Sequence, residues 1–162
     1  MPANTKKSAP QIAFPRATRK NDLWATEIVL RDDSQRTQIL IVLDVFSGIP
    51  VVLTVLDPAA SIAGQLAGHV NDASQRSGRP KMLWVDVNFK FNSRELDEFA
   101  MLAVDILYGA RAQKRRRVEP FLQHLRRFIG ENGSSTPDDL NRDLGEWREL
   151  EERRQRYATA EE

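Results

Sequence analysis

The 162-residue chain has no cysteine. That excludes disulfides, thiolate zinc sites and cysteine nucleophiles, and it fits a reducing compartment. Histidine is scarce as well: His69 and His124 are the two, and neither has a partner at metal-ligand spacing. Long apolar runs are missing too. Nothing approaches ~18 continuous apolar residues, so no membrane span is expected. The opening MPANTKKSAPQ has no apolar stretch after its lysines, and no secretory signal is expected there. There is no internal repeat. The length fits one domain with a real core.

What is present is an uneven charge. The net charge is +1, yet residues 1–20 hold Lys6, Lys7, Arg16, Arg19 and Lys20 and no acid. Residues 111–127 hold Arg111, Lys114, Arg115, Arg116, Arg117, Arg126 and Arg127 against the single acid Glu119. The chain from Glu131 onward is rich in acids. Basic blocks on a near-neutral protein point to a polyanion partner; a solvated loop is the plain alternative.

Hydrophobic periodicity orders the chain. Residues 1–21 lack it and read as a flexible basic arm. LWATEIVLR (23–31), TQILIVLDVF (37–46) and IPVVLTVL (49–56) read as three strands joined by short turns, the first of them at Asp32-Asp33-Ser34. Pro50 places the third strand at an edge. Asp57-Pro58 then predicts a helix start, with Ile62, Leu66 and Val70 at helical spacing and Gly78 and Pro80 closing the segment. Residues 81–85 form a fourth strand. A helix over 93–103 follows, with Asn92 and Glu95 as a capping box and Leu96, Phe99, Ala100 and Ala103 inward. VDILY (104–108) reads as a fifth strand, 111–117 as a basic loop, and 118–129 as a helix. Residues 131–162 read as a linker and a last helix striped by Leu140, Leu144, Trp147 and Leu150. A meander followed by alternating units gives a mixed sheet covered by helices.

Three carboxylates stand out in that layout. Glu27 lies in the first strand, Asp86 ends the fourth, and Glu119 begins the penultimate helix, where Pro120 is expected to hold it at the N-cap. Each alone is open between a structural acid and a ligand. Brought together they would repel, unless divalent cations sat among them. Oxygen-only ligands favour Mg²⁺ or Mn²⁺, and two such ions clamp a phosphodiester displacement. Asp44 reads as structural, Trp24 and Trp84 as core, His69 as packed and His124 as solvent-facing or near phosphate.

The order of these motifs resembles the catalytic core of DDE transposases and retroviral-type integrases, nearest to the bacterial insertion-sequence and Mu-type branch. Leu23-Trp24-Ala25-Thr26-Glu27 matches the family's first strand, with its tryptophan and first acid. Leu43-Asp44-Val45-Phe46-Ser47 matches the end of the second. Asp86 through Phe91 keeps the Asp and the Phe of the next motif, and Val118-Glu119 matches the last. The resemblance covers residues 22–130. It implies an RNase H-like α/β fold: a mixed five-stranded sheet, antiparallel over the first three strands and parallel over the fourth and fifth, flanked by helices and followed by a helical tail. It implies metal-dependent DNA strand cleavage and transfer, with Glu27, Asp86 and Glu119 holding Mg²⁺ or Mn²⁺. The basic charge beside such a site would hold the nucleic-acid backbone, and Lys90, Lys114, Arg115, Arg116, Arg117 and Arg126 are the expected DNA contacts; the expected setting is a homo-oligomer at the bacterial nucleoid in the cytoplasm.

The match has departures. The first acid is Glu where the family has Asp, and the extra methylene moves its carboxylate. Val87-Asn88 replaces Asn-Gly, so the loop cannot rely on a glycine-like φ and must differ. Lys90 stands where the family often has an acid, Pro120 follows Glu119 directly, and Gly48 replaces an Arg. These departures describe a degenerate site. Two readings follow: an enzyme of DNA integration, or an inactive RNase H-like module that contacts DNA or assembles with partners. A related nuclease is a third, weaker reading. The helix-turn-helix region and small barrel that flank the family's core have no counterpart in the sequence, as expected of a fragment, a truncated element or a repurposed core.

Overall fold

A computed structural model describes residues 14–31, 36–131 and 136–160. The basic arm up to residue 13, the turn at Asp32-Asp33-Ser34 and most of the Glu131–Ser135 linker lie outside the described residues. The elements run β1 (Leu23–Leu30), β2 (Gln38–Asp44), β3 (Pro50–Val55), α1 (Ile62–Ser77), β4 (Met82–Asp86), α2 (Ser93–Met101), β5 (Asp105–Gly109), α3 (Arg111–Glu131) and α4 (Pro137–Ala160). The five strands form one sheet in the order β3-β2-β1-β4-β5. β1 pairs antiparallel with β2, and β2 with β3; β4 runs parallel to both β1 and β5. This is the mixed sheet expected from the sequence. Pro50 does lie on an edge strand, where its missing N–H costs no ladder bond.

β1 and β4 are apolar on both sides because both faces of the sheet are covered. On one face Leu23, Ala25, Ile41 and Trp84 pack with Val118, Leu122, Leu125 and Ile129 of α3 and with Leu140, Leu144 and Trp147 of α4. On the other, Trp24, Leu40, Leu83 and Val85 pack with Leu66, Ala67 and Val70 of α1 and Phe99 of α2. The last helix is therefore part of the core. Its buried stripe ends at Trp147; Leu150, expected to continue it, is exposed.

Helix boundaries depart from the sequence reading in three places, each for a local reason. α1 starts after Ser61, whose hydroxyl accepts from Gly64 N–H (3.2 Å). Asp57 does not cap it. Its carboxylate accepts from Ala59 N–H (2.9 Å) in a tight turn, and Gln65 grips the Asp57 backbone on both sides. Gly78 closes α1 at φ 87°, a left-handed position suited to glycine.

α2 has the expected capping box, Glu95 N–H to Asn92 Oδ1 (2.9 Å) and Asn92 N–H to Glu95 Oε1 (3.0 Å). That box turns Glu95 inward, so the buried face is Glu95 and Phe99, while Leu96 and Ala100 point outward. The helix stops at Met101, leaving Ala103 outside it at φ 54° and exposed.

The third departure bears on the site. Residues 111–117, expected as a loop, are the first turns of α3, which runs straight through Pro120. Proline in a helix interior removes one hydrogen bond and costs roughly 3 kcal/mol. The buried row Val118, Leu122, Leu125 and Ile129 offsets that by fixing the helix to the sheet. Glu119 is therefore a helical residue and not an N-cap.

Candidate functional site

β1 and β4 run side by side only from Leu23↔Met82 to Ala25↔Trp84. Beyond that point β1 follows β2 as far as Leu30, and β4 follows β5 as far as Asp86↔Gly109. Parting strands at the carboxyl end of a parallel pair leave a crevice. Here the crevice is a cavity of about 170 Å³ lined by Thr26, Glu27, Ile28, Leu40, Leu66, Asp86 and Phe89. Extending the register two steps beyond Ala25 and Trp84 brings Glu27 level with Asp86. Strand alternation gives both acids the same sheet face as Ala25 and Trp84, the face under α3.

Glu27 is buried, 7% exposed, in the middle of the sheet. Asp86 is half-buried and sits in a tight turn. Its Oδ1 accepts from Asn88 N–H (3.0 Å), and its carbonyl accepts from Phe89 N–H (2.9 Å). Neither Val87 nor Asn88 takes a positive φ. The loop therefore turns without glycine, and it is closed by the Asp86 side chain itself. Phe89 packs on Phe91 (4.9 Å between ring centroids) and Phe91 on the buried Phe99 (5.1 Å), which braces the loop over the cavity. Glu27 and Asp86 border this crevice, whose lining residues Ile28, Leu40, Leu66 and Phe89 lie on the α1 side of the sheet, and among the described residues no lysine or arginine borders it.

Glu119 does not line it. The residue is half-buried on α3 and pairs with Arg126, Arg126 Nη1 to Glu119 Oε1 at 3.3 Å. Among the described residues no group of three or more His, Asp or Glu side chains stands close enough to hold a metal ion. Glu27 and Asp86, level on the α3 face, offer two oxygen ligands of the kind a divalent cation takes, and the third acid is engaged elsewhere. The residues fit an oxygen-ligated ion in part only.

The basic candidates lie on two elements. Lys90 is exposed on the loop after β4. Arg116, Arg117 and Arg126 are exposed on α3. The side chains of Lys114 and Arg115 lie outside the described part of that helix. Asp44 is fully buried and structural: it accepts from Ser47 Oγ (2.6 Å) and Asn21 N–H (3.3 Å), which ties the β2 end to the chain before β1. His69 is half-buried on α1, and burial pushes its pKa down. His124 stacks on Trp147 at 5.5 Å between centroids, 3.9 Å from Glu151.

Sequence reasoning passed over Thr26. Its hydroxyl donates to the Trp84 carbonyl at 2.9 Å, in the interior, across the parting strands. A polar residue between Trp24 and Ile28 on an otherwise apolar strand face was the available signal.

No protein-family model matches the chain, and no curated protein does. Solved structures do. A chain of the simian T-cell lymphotropic virus intasome in complex with PP2A regulatory subunit B56 gamma aligns with a TM-score of 0.61 at 18% identity, over 82% of this chain and 50% of that one. The present chain thus spans half the length of that intasome chain. The HTLV-2 integrase catalytic core domain in complex with magnesium, in its dimeric form, aligns at 0.56 and 15% identity, over 80% of this chain and 86% of that one. The catalytic core domain of BIV integrase aligns at 0.61 and 19%, over 76% and 80%. At such identities the likeness establishes the fold, the RNase H-like fold of integrase catalytic cores.

Proposed function

We propose that the chain is the core of a DNA integrase or transposase of the bacterial insertion-sequence or Mu-type branch, acting on DNA phosphodiesters with Mg²⁺ or Mn²⁺. The observation that carries this is the placement of Glu27 and Asp86 at the parting of β1 and β4, level with each other and on the same face of the sheet. Bound there, the metal supplies charge for the attacking and leaving oxygens of a strand transfer. Glu27 and Asp86 are its ligands from the sheet. Glu119 would be the third ligand, a role that would require it to leave its ion pair with Arg126. Lys90, Lys114, Arg115, Arg116, Arg117 and Arg126 hold the DNA backbone as phosphate contacts. In this reading the chain works on DNA in the bacterial cytoplasm, as a homo-oligomer. No helix among the described residues is long and apolar enough to cross a membrane.

A second reading has its own observation. Glu119 is neutralised by Arg126 and stands outside the crevice, which favours an inactive RNase H-like module that binds DNA or assembles with partners. Calorimetric titration with Mg²⁺ and Mn²⁺, run beside a DNA strand-transfer assay, separates the two. The enzyme reading expects millimolar or tighter metal binding, lost in Asp86→Asn and Glu27→Gln, and strand transfer lost in Glu119→Gln. Absence of metal binding, with DNA binding intact, leaves the module reading standing.

A further inference from the structure

The two edges of the sheet are finished differently. At β3, side chains of two helices occupy the backbone: Asn141 accepts from Val55 N–H and Arg76 donates to the Val51 carbonyl. β5 is the other edge. Asp105 N–H donates to the Lys81 carbonyl (3.0 Å), and the Gly109 carbonyl accepts from Val87 N–H (3.1 Å). By alternation Asp105, Leu107 and Gly109 serve β4, while Ile106 and Tyr108 turn their N–H and C=O groups outward. No described residue hydrogen-bonds to those outward groups. An open edge of this kind is a template for another strand. β5 has no proline or lysine to blunt it, and its one charge, Asp105, stands at its start.

We propose that β5 docks on β5 of a second copy of the chain, antiparallel, about a two-fold axis at Leu107. This names the surface of the homo-oligomer read above and rests on that part of the reading. The strand's own pattern selects the occupant. In this register Ile106 of each copy meets Tyr108 of the other, so every outward N–H and C=O finds a partner. Both side chains lie on the α2 face, where an aliphatic β-branched residue beside an aromatic one is a favourable cross-strand pair. Asp105 falls opposite Gly109, so no like charges are opposed. The acidic start of each strand also lies toward the other copy's basic run, which begins at Arg111. α2 packs on β5, and Met101, just before the strand, is 88% exposed and adds apolar surface beside the seam. A seam of 5 residues is short, below the ~1,200 Å² of a standard interface, so the dimer is expected to be micromolar or weaker.

The test uses the full chain in sedimentation velocity, thiol cross-linking and amide hydrogen exchange. Expected is a monomer–dimer equilibrium weakened about tenfold or more by Tyr108→Pro, which removes an outward N–H, and by Tyr108→Lys. The lysine variant keeps the backbone and decides the matter if the proline variant does not fold. The absence of cysteine makes the register testable. Leu107→Cys sets two thiols across the axis with Cα atoms ~4.5 Å apart, within disulfide reach. Asp105→Cys holds them about 14 Å apart along the strands. Tyr157→Cys, exposed on α4, reports random collision. Leu107→Cys should oxidise to dimer about tenfold or more faster than either. A dimer indifferent to both Tyr108 variants, or thiols that couple equally fast from positions 105 or 157, overturns the β5 interface and leaves self-association elsewhere standing. A chain that stays monomeric at every concentration sinks the homo-oligomer reading and this proposal with it. The amides of Ile106 and Tyr108 should be protected only where the dimer forms. Protection in the dilute monomer means that a segment of the same chain holds the edge, and overturns the proposal.

Discussion

Gly109 lies under the indole of Trp84. A Cβ built on Gly109 would overlap Cζ2, Cε2 and Cη2 of the ring. The two residues face the same side of the sheet, and Gly109 is also the β5 partner of Asp86. Its carbonyl accepts from Val87 N–H at 3.1 Å, so the glycine that makes room for the ring also holds the loop after Asp86. The Trp84 Nε1–H is buried without an acceptor among the described residues, so the ring is held by packing. Phe14 adds to that packing from above, at 4.8 Å between centroids.

Gly109→Ala should therefore be among the most destabilising small substitutions in the chain. A fully buried indole has little room to shift, and overpacking of this kind typically costs about 1–3 kcal/mol, with backbone overlap at the upper end. Thermal or urea unfolding of Gly109→Ala checks it. Substitution at Gly68, where a Cβ meets nothing within 4 Å, should be neutral or mildly stabilising by comparison.

Acid should weaken the anchor in front of β1. The Asp22 carboxylate accepts from Thr18 N–H (3.0 Å) and from the Thr18 hydroxyl (2.8 Å), with Lys81 and Arg19 each at 3.3 Å. Those bonds hold it well below the usual carboxylate range, the Thr18 backbone first and its hydroxyl next. Partial burial pulls the other way and loses to them; Lys81 and Arg19 add to the lowering. A carboxylate whose folded pKa lies below its unfolded value stabilises the fold above the unfolded value, about 4, and loses that contribution as the pH falls toward the folded one. Asp22→Asn should thus melt below wild type at pH 7, with the gap closing as the pH drops below about 4. A gap that stays constant down to pH 3 would contradict the assignment.

The outer edge of β3 offers another measurement. Asn141 of α4 accepts from Val55 N–H (3.0 Å) and from the Thr54 hydroxyl (2.9 Å), and Arg76 of α1 donates to the Val51 carbonyl (2.7 Å). Side chains from two helices thus occupy backbone groups that an edge strand would otherwise present to another chain. Asn141→Ala should cost about 1 kcal/mol, since water can replace part of the bonding at this exposed site. For a chain of this size that is a fall of about 2–4 °C in Tm. Analytical ultracentrifugation of the same variant should show more self-association than wild type.

The sheet was legible because its signals are local. Apolar runs bounded by turn residues, and Pro50 at a strand start, define the strands and the edge without reference to the rest of the chain. Glu27 and Asp86 were legible as neighbours once β1 and β4 were taken as adjacent. The start of α3 was not. Lys and Arg over 111–117 are fair helix formers, but with Pro120 ahead they read as a loop; only the docking of Val118 and Leu122 on the sheet overrides that. The Thr26 bond to Trp84 and the Glu119 pairing with Arg126, seven residues along the same helix, were hidden for a similar reason. Register and helix phase are fixed by tertiary packing, and a single sequence does not contain them.

Glu119 and Arg126 give the last prediction, on DNA. The pair is partly exposed on both sides, 35% and 47%, so it adds little to stability, ~0–1 kcal/mol. Its effect on charge is larger, because it removes one cation from the basic side of α3. Metal-free DNA binding should fall with salt, and deleting one phosphate-binding cation should lower the log–log slope by about 1. Arg116→Ala and Arg117→Ala should each show that full decrease. Arg126→Ala should show less, since Glu119 already occupies the guanidinium. Glu119→Gln should do the opposite, freeing Arg126 to bind phosphate and raising affinity at low salt. The measurement is fluorescence anisotropy with a duplex oligonucleotide from 50 to 200 mM salt, about the range over which phosphate binding weakens steeply. A Glu119→Gln variant that binds DNA more weakly than wild type, with metal excluded, would show that Glu119 supports the DNA-binding surface instead of restraining it.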